Sequence, residues 1–158
     1  MQNRKLNQQL TRLQQLVNRT QVATEDIELQ GHWGRYLCVM VAGLLEDGLQ
    51  TIYSEFASKS SSPHVARYVG DTLNRVTNPK AGRFLEIAGA FNADWQQELD
   101  QFLGSESGVR RDAIDSIMNN RNQIVHGGSA QITVTRVREY LERSVEVLTF
   151  IERQCSGG

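Results

Sequence analysis

The sequence predicts an all-α protein, a helical bundle of about five to six helices with a long central helix and a long C-terminal one. Three observations carry this reading. Apolar residues recur three and four apart through several segments, the period of a helix with one buried face. Capping and breaking residues separate those segments. The only strand-like run, ITVT at 132–135, is too short to build a sheet.

Leu6, Leu10, Leu13 and Val17 give an amphipathic first helix over about residues 1–20, with Gln, Asn and Arg outside. Thr24, followed by Glu25 and Asp26, reads as the next helix start. The central helix then carries Trp33, Leu37, Met40, Val41, Leu44, Leu45, Leu49, Ile52 and Phe56, and runs to about Ser58. After the SKSSS loop, Ser62-Pro63 is an N-cap with a first-turn proline, opening a helix with Val65, Tyr68, Val69, Leu73 and Val76 inside. Asn78-Pro79 breaks it. A short helix holds Phe84, Leu85 and Ile87, and Asn92 can cap another with Trp95, Leu99, Phe102 and Leu103. GSESG at 104–108 is the clearest loop. A helix from about Val109 stops at Gly127-Gly128, and Thr133 or Thr135 can cap the last one, whose tail at 156–158 frays.

At 158 residues the chain suits a single domain, and its 39% hydrophobic and 22% charged content is that of a soluble globular protein. The net charge of −1 supplies no global field for nucleic acid, so any such contact must be local. The basic residues are 14 Arg against 3 Lys, and only Arg presents a planar fork to phosphate or carboxylate. Cys38 and Cys155 lie far apart and form no metal or disulfide pattern. With three histidines and no carboxylate–His cluster, no metal or other cofactor is implied. No apolar run reaches transmembrane length and no signal peptide is evident, so the expected location is the cytoplasm.

The chemistry concentrates in NNRNQIVHGG, residues 119–128. On a helical wheel Arg121 falls within the apolar arc of Val109, Ala113, Ile114, Ile117, Ile124 and Val125. Asn122 and His126, four apart, share the arc's edge with Asp115 and Asn119. An inward guanidinium calls for a carboxylate partner. The central helix offers Glu46 and Asp47, of which Asp47 lies nearer the buried face. His126 ends its helix, where the dipole favours a protonated ring. Arg beside a protonatable His suits phosphodiester cleavage in RNA, whose own 2′-OH serves as nucleophile without a metal. The structural alternative is an Arg121–carboxylate bridge with His126 capping carbonyls.

This arrangement resembles the HEPN superfamily (higher eukaryotes and prokaryotes nucleotide-binding), whose signature is an Arg, usually followed by a polar residue, then a His after a short gap. RNQIVH at 121–126 fits the shortest form of that gap, and the flanking long helices match the family's layout over roughly residues 30–155. The likeness is strongest to a prokaryotic branch labelled RiboL-PSP-HEPN. It implies a helical bundle that pairs as a homodimer, with two motifs in one cleft, and in many members a metal-independent endoribonuclease of toxin–antitoxin or antiphage systems. Arg121 and His126 would be the catalytic pair, Asn122 the supporting polar residue, and Glu46 or Asp47 the acid on the opposing helix. Two His126 rings across a dimer would supply both proton-transfer groups that acid–base cleavage needs. Members silenced by a nucleotidyltransferase antitoxin carry a Tyr two residues past the His; here that position is Gly128, so that mode of control is not implied.

RNA is therefore the expected partner, with Arg110 and Arg111 beside the motif as candidate RNA contacts and an antitoxin or other regulatory protein as a further one. The alternative is a non-catalytic helical module that binds RNA, a nucleotide or a protein. His32 and His64 sit at helix starts and receive no role. Tyr36, Tyr68, Trp33 and Trp95, spaced among Leu and Val, read as core.

Overall fold

A helix whose apolar positions fill most of its circumference must be covered on several sides. The stretch Ile27–Ser60 meets that condition, and in the computed structural model, which describes residues 1–22 and 25–157, it is the spine of the molecule. Among the described residues there are seven α-helices and no strand: α1 (Arg4–Val22), α2 (Ile27–Ser60), α3 (Pro63–Leu73), α4 (Ala81–Phe91), α5 (Ala93–Gly104), α6 (Val109–Val125) and α7 (Val134–Ser156). Seven exceeds the expected five to six, and Asn92 keeps α4 and α5 apart as its capping chemistry suggests. Its backbone is extended at φ −159°, and its side chain accepts the Asp94 N–H at 2.8 Å.

The local chemistry explains most boundaries. Thr24, read as a helix start, lies outside the described residues. Asp26 caps α2, accepting the N–H groups of Glu28 and Leu29 at 2.9 and 3.3 Å. Ser62 and Pro63 open α3 as expected, with the Ser62 hydroxyl facing the Val65 N–H. Of the two candidate threonines, Thr133 caps α7, taking the Arg136 N–H at 3.2 Å. The ITVT run is no strand: Ile132 is buried in the approach to α7, and the helix begins at Val134.

One apolar core threads all seven helices, from Leu6 and Leu13 of α1 to Leu148 and Ile151 of α7. Helices α1, α6 and α7 surround α2, and their order along it can be read from named contacts. Gln9 of α1 donates to Asp47, and Asn3 lower on α1 reaches Glu55, so α1 runs antiparallel to α2. Two buried glycines admit the other side. A Cβ on Gly34 would stand 2.0 Å from the Ile132 carbonyl oxygen, and one on Gly48 would stand 2.7 Å from Leu148 Cδ1. Residue 34 thus meets 132 and residue 48 meets 148, which makes α7 parallel to α2. Helix α3 is less covered than its spacing suggests. It packs chiefly on α2, so Leu73 is buried while Val65 and Tyr68, expected inside, are 50% and 73% exposed.

Gly34→Ala should therefore lower stability by about 1–3 kcal/mol or more, since the obstacle is backbone that cannot rotate away. Gly43→Ala, on the same helix with open space around it, should be neutral or stabilising by up to about 1 kcal/mol. Urea unfolding of the two variants checks this, and equal effects would contradict the close approach at Gly34.

Candidate functional site

Helix α6 ends by a Schellman closure. His126 is the last residue near helical geometry, Gly127 turns left-handed at φ +74°, and the Gly128 N–H returns to the Gln123 carbonyl at 2.8 Å while the Gly127 N–H meets Ile124 at 3.2 Å. The glycine pair thus sets where the last turn stops, and that turn carries Arg121, Asn122 and His126. Gly128 also accounts for the missing Tyr in local terms: a Cβ there would lie 3.1 Å from the Gln123 carbonyl oxygen.

Arg121 is half-buried, and its Nη1 donates to the Asn122 side-chain oxygen at 3.4 Å. His126 is exposed, and its imidazole has no hydrogen-bond partner among the described residues. Arg121 sits near the negative end of the helix dipole, which favours its guanidinium there without a carboxylate. By helical spacing Arg121 shares a face of α6 with Ile117 and Ile124.

The expected acid partners are elsewhere. Glu46 accepts the Asn78 N–H at 2.7 Å, and Asp47 accepts from Gln9 of α1 at 3.2 Å. Among the described residues no carboxylate lies within ion-pair distance of Arg121. The cause is axial. The Cys38 thiol meets the Ile117 carbonyl at 3.6 Å, and Arg110 near the start of α6 pairs with Glu146, so α6 runs antiparallel to α2. Arg121 then lies one turn beyond that contact and Glu46 two turns the other way, about 18 Å apart along the axis. A wheel gives the face of a residue and not its height.

The same geometry shows which surface the motif borders. The 78–81 segment bridges one edge of the α2–α6 seam, through Asn78 to Glu46 and through the Ala81 N–H to Asp115 at 2.8 Å. Asn122 and His126 follow Asp115 by two and three turns, so they line that edge. Arg35 precedes Glu46 by three turns and lines it from the α2 side, level with Asn119–Asn122. Sequence reasoning passed over Arg35 because nothing in its spacing distinguishes it; only the helix pairing does.

Arg110, expected to touch RNA, is buried instead. It donates to Glu146 and Glu106, both at 2.6 Å, and to the Ser105 hydroxyl at 2.9 Å, and its guanidinium lies 4.3 Å from the centre of the Phe102 ring. It serves as the fastening of the 104–108 segment, where Glu106, Ser107 and Gly108 turn left-handed in succession in place of an open loop. Arg111 is half-buried and pairs with Asp100 at 2.6 Å. Burial raises the Cys38 thiol to about 12, which removes it as a nucleophile at neutral pH. Tyr36, expected in the core, is 51% exposed. Among the described residues no group of acids, cysteines and histidines could hold a metal, and no helix is long and apolar enough to cross a membrane.

Compared with known families, residues 2–157 match the family model described as RiboL-PSP-HEPN. No curated protein and no solved structure matches the chain.

Arg110→Ala should cost roughly 1–3 kcal/mol at neutral pH, from the lost packing on Phe102 and the lost ion pairs to Glu106 and Glu146, which keep only Arg143 as a cationic partner. Its hydrogen bond and charge hold the Glu106 carboxyl below the usual carboxylate range. That share of stability is present above the unfolded carboxylate pKa and is lost as pH falls through the lower folded value. The gap between wild type and variant in urea unfolding should accordingly narrow in acid; a gap independent of pH would show that the ion pairs contribute little.

Proposed function

Since the chain belongs to the RiboL-PSP-HEPN family, of the HEPN superfamily, we propose that it is a metal-independent endoribonuclease, toxin-like or antiphage, whose site is completed by homodimerisation. The observation that carries this is the last turn of α6: a guanidinium and an imidazole, both without a carboxylate partner among the described residues, stand beside an amide at one end of the bundle. A structural arginine in this chain looks different, as Arg110 shows.

In this reading one His126 accepts the proton of an RNA 2′-OH as that oxygen attacks the adjacent phosphorus. Arg121 neutralises the charge that grows on the phosphoryl oxygens, and the partner subunit's His126 protonates the departing 5′-oxygen. The bond broken is the P–O5′ bond, and the products are a 2′,3′-cyclic phosphate and a 5′-hydroxyl. Asn122, hydrogen-bonded to Arg121, orients the guanidinium. The motif end of the bundle also exposes Ile27 (85%) and Val125 (53%), an apolar rim of the kind a dimer covers. A regulatory protein that masks this cleft would hold the enzyme in check.

Purified wild type in EDTA should cleave single-stranded RNA and leave 2′,3′-cyclic phosphate ends, with His126→Ala and Arg121→Ala slower by roughly a hundred-fold or more. Equal cleavage by wild type and His126→Ala would refute the assignment, and no cleavage by wild type would favour a binding module. Val125→Glu, at an exposed position, should leave the chain folded by circular dichroism but monomeric by light scattering and inactive. An active monomer would contradict the composite site.

A further inference from the structure

On the exposed side of α2, Arg35, His32, Tyr36 and Leu29 follow one another around the helix from the α6 edge to α1. Arg35 Nη2 lies 2.7 Å from His32 Nδ1. A guanidinium can only donate, so Nδ1 accepts and the ring proton sits on Nε2. Among the described residues Arg35 forms no ion pair with a carboxylate, while Glu28, 88% exposed, stands 4.0 Å from His32 Nε2. Past His32 the surface opens into a groove of about 440 Å³ lined by Arg12, Leu16, Leu29, His32, Trp33 and Tyr36. The Tyr36 ring stands edge-on to Trp33, centroids 5.8 Å apart, which fixes it while leaving it half exposed.

Helix α1 carries no acid, and of its basic residues Arg12 lines this groove, in a chain whose net charge is −1. A rigid aromatic between one held guanidinium, Arg35, and one exposed one, Arg12, is what a single strand of nucleic acid needs: a face for a base and forks for its phosphates. The band also begins where the motif ends, because Arg35 lines the same edge of the seam as Asn122 and His126.

We propose that the N-terminal half of α2 forms a nucleotide subsite for single-stranded RNA, in which Tyr36 and Trp33 receive a base and Arg35 and Arg12 hold the flanking phosphates, leading the strand into the Arg121–His126 site. This rests on the ribonuclease reading, since it supplies the strand that the site cleaves. Base stacking accounts for affinity without sequence preference, and Arg35 sets the register of the strand.

The test is fluorescence anisotropy with a short labelled single-stranded RNA, in a His126→Ala background that stops turnover. Tyr36→Ala should weaken binding roughly ten-fold or more. Arg35→Gln should weaken it and lower the salt dependence by about one phosphate contact. Tyr68→Ala, at a still more exposed tyrosine on α3, should change nothing. In the active protein Tyr36→Ala should raise KM and leave kcat near wild type. If both α2 variants bind as the parent does while wild type still cleaves, the subsite is refuted and the nuclease reading stands. If the parent binds no RNA, both fail. If Tyr36→Ala weakens the dimer and leaves RNA affinity per dimer unchanged, the face is a protein interface and the subsite is refuted.

Discussion

The backbone at residues 132–133 rests directly on Gly34 of α2, and the position of the motif depends on that contact. Residues 127–133 join α6 to α7. One end of this connection is fixed by the left-handed glycine that closes α6, and the other by burial of Ala130 and Ile132 against the spine helix. A connection pinned at both ends allows the last turn of α6 little freedom, so Arg121, Asn122 and His126 are presented from a rigid element. Gly48 extends the same arrangement further along, letting Leu148 of α7 lie against α2 and keeping the two helices parallel.

Two arginines on one helix show how burial separates structure from function. Arg110 is buried and meets every demand of a buried guanidinium: two carboxylates, a hydroxyl and an aromatic face. Arg121 is only half-buried, has an amide for company, and relies on the helix end for electrostatic support. The first arrangement stabilises the fold by satisfying its charge. The second leaves the charge without a carboxylate partner among the described residues.

Much of this was legible before any coordinates. The 3.6-residue period located the central and C-terminal helices, and Pro63, Asn92 and the Gly127-Gly128 pair marked starts and stops whose chemistry is local. The family likeness of RNQIVH also held over nearly the whole chain. What escaped was long-range. The pairing of Arg121 with Glu46 or Asp47 failed because a wheel carries no information on axial height. Arg110 looked like a surface residue because its two acid partners come from the 104–108 turn and from α7. Arg35 drew no attention because only the helix pairing sets it on the same edge as residues some ninety positions away.

The central claim is that two His126 rings work together in one cleft, and mixed dimers test it most directly. Wild type is allowed to exchange subunits with increasing proportions of His126→Ala at constant total protein, and RNA cleavage is followed. If each cleft needs both rings, activity falls as the square of the wild-type fraction. A linear fall would mean that each subunit cleaves alone, and that the composite site is wrong.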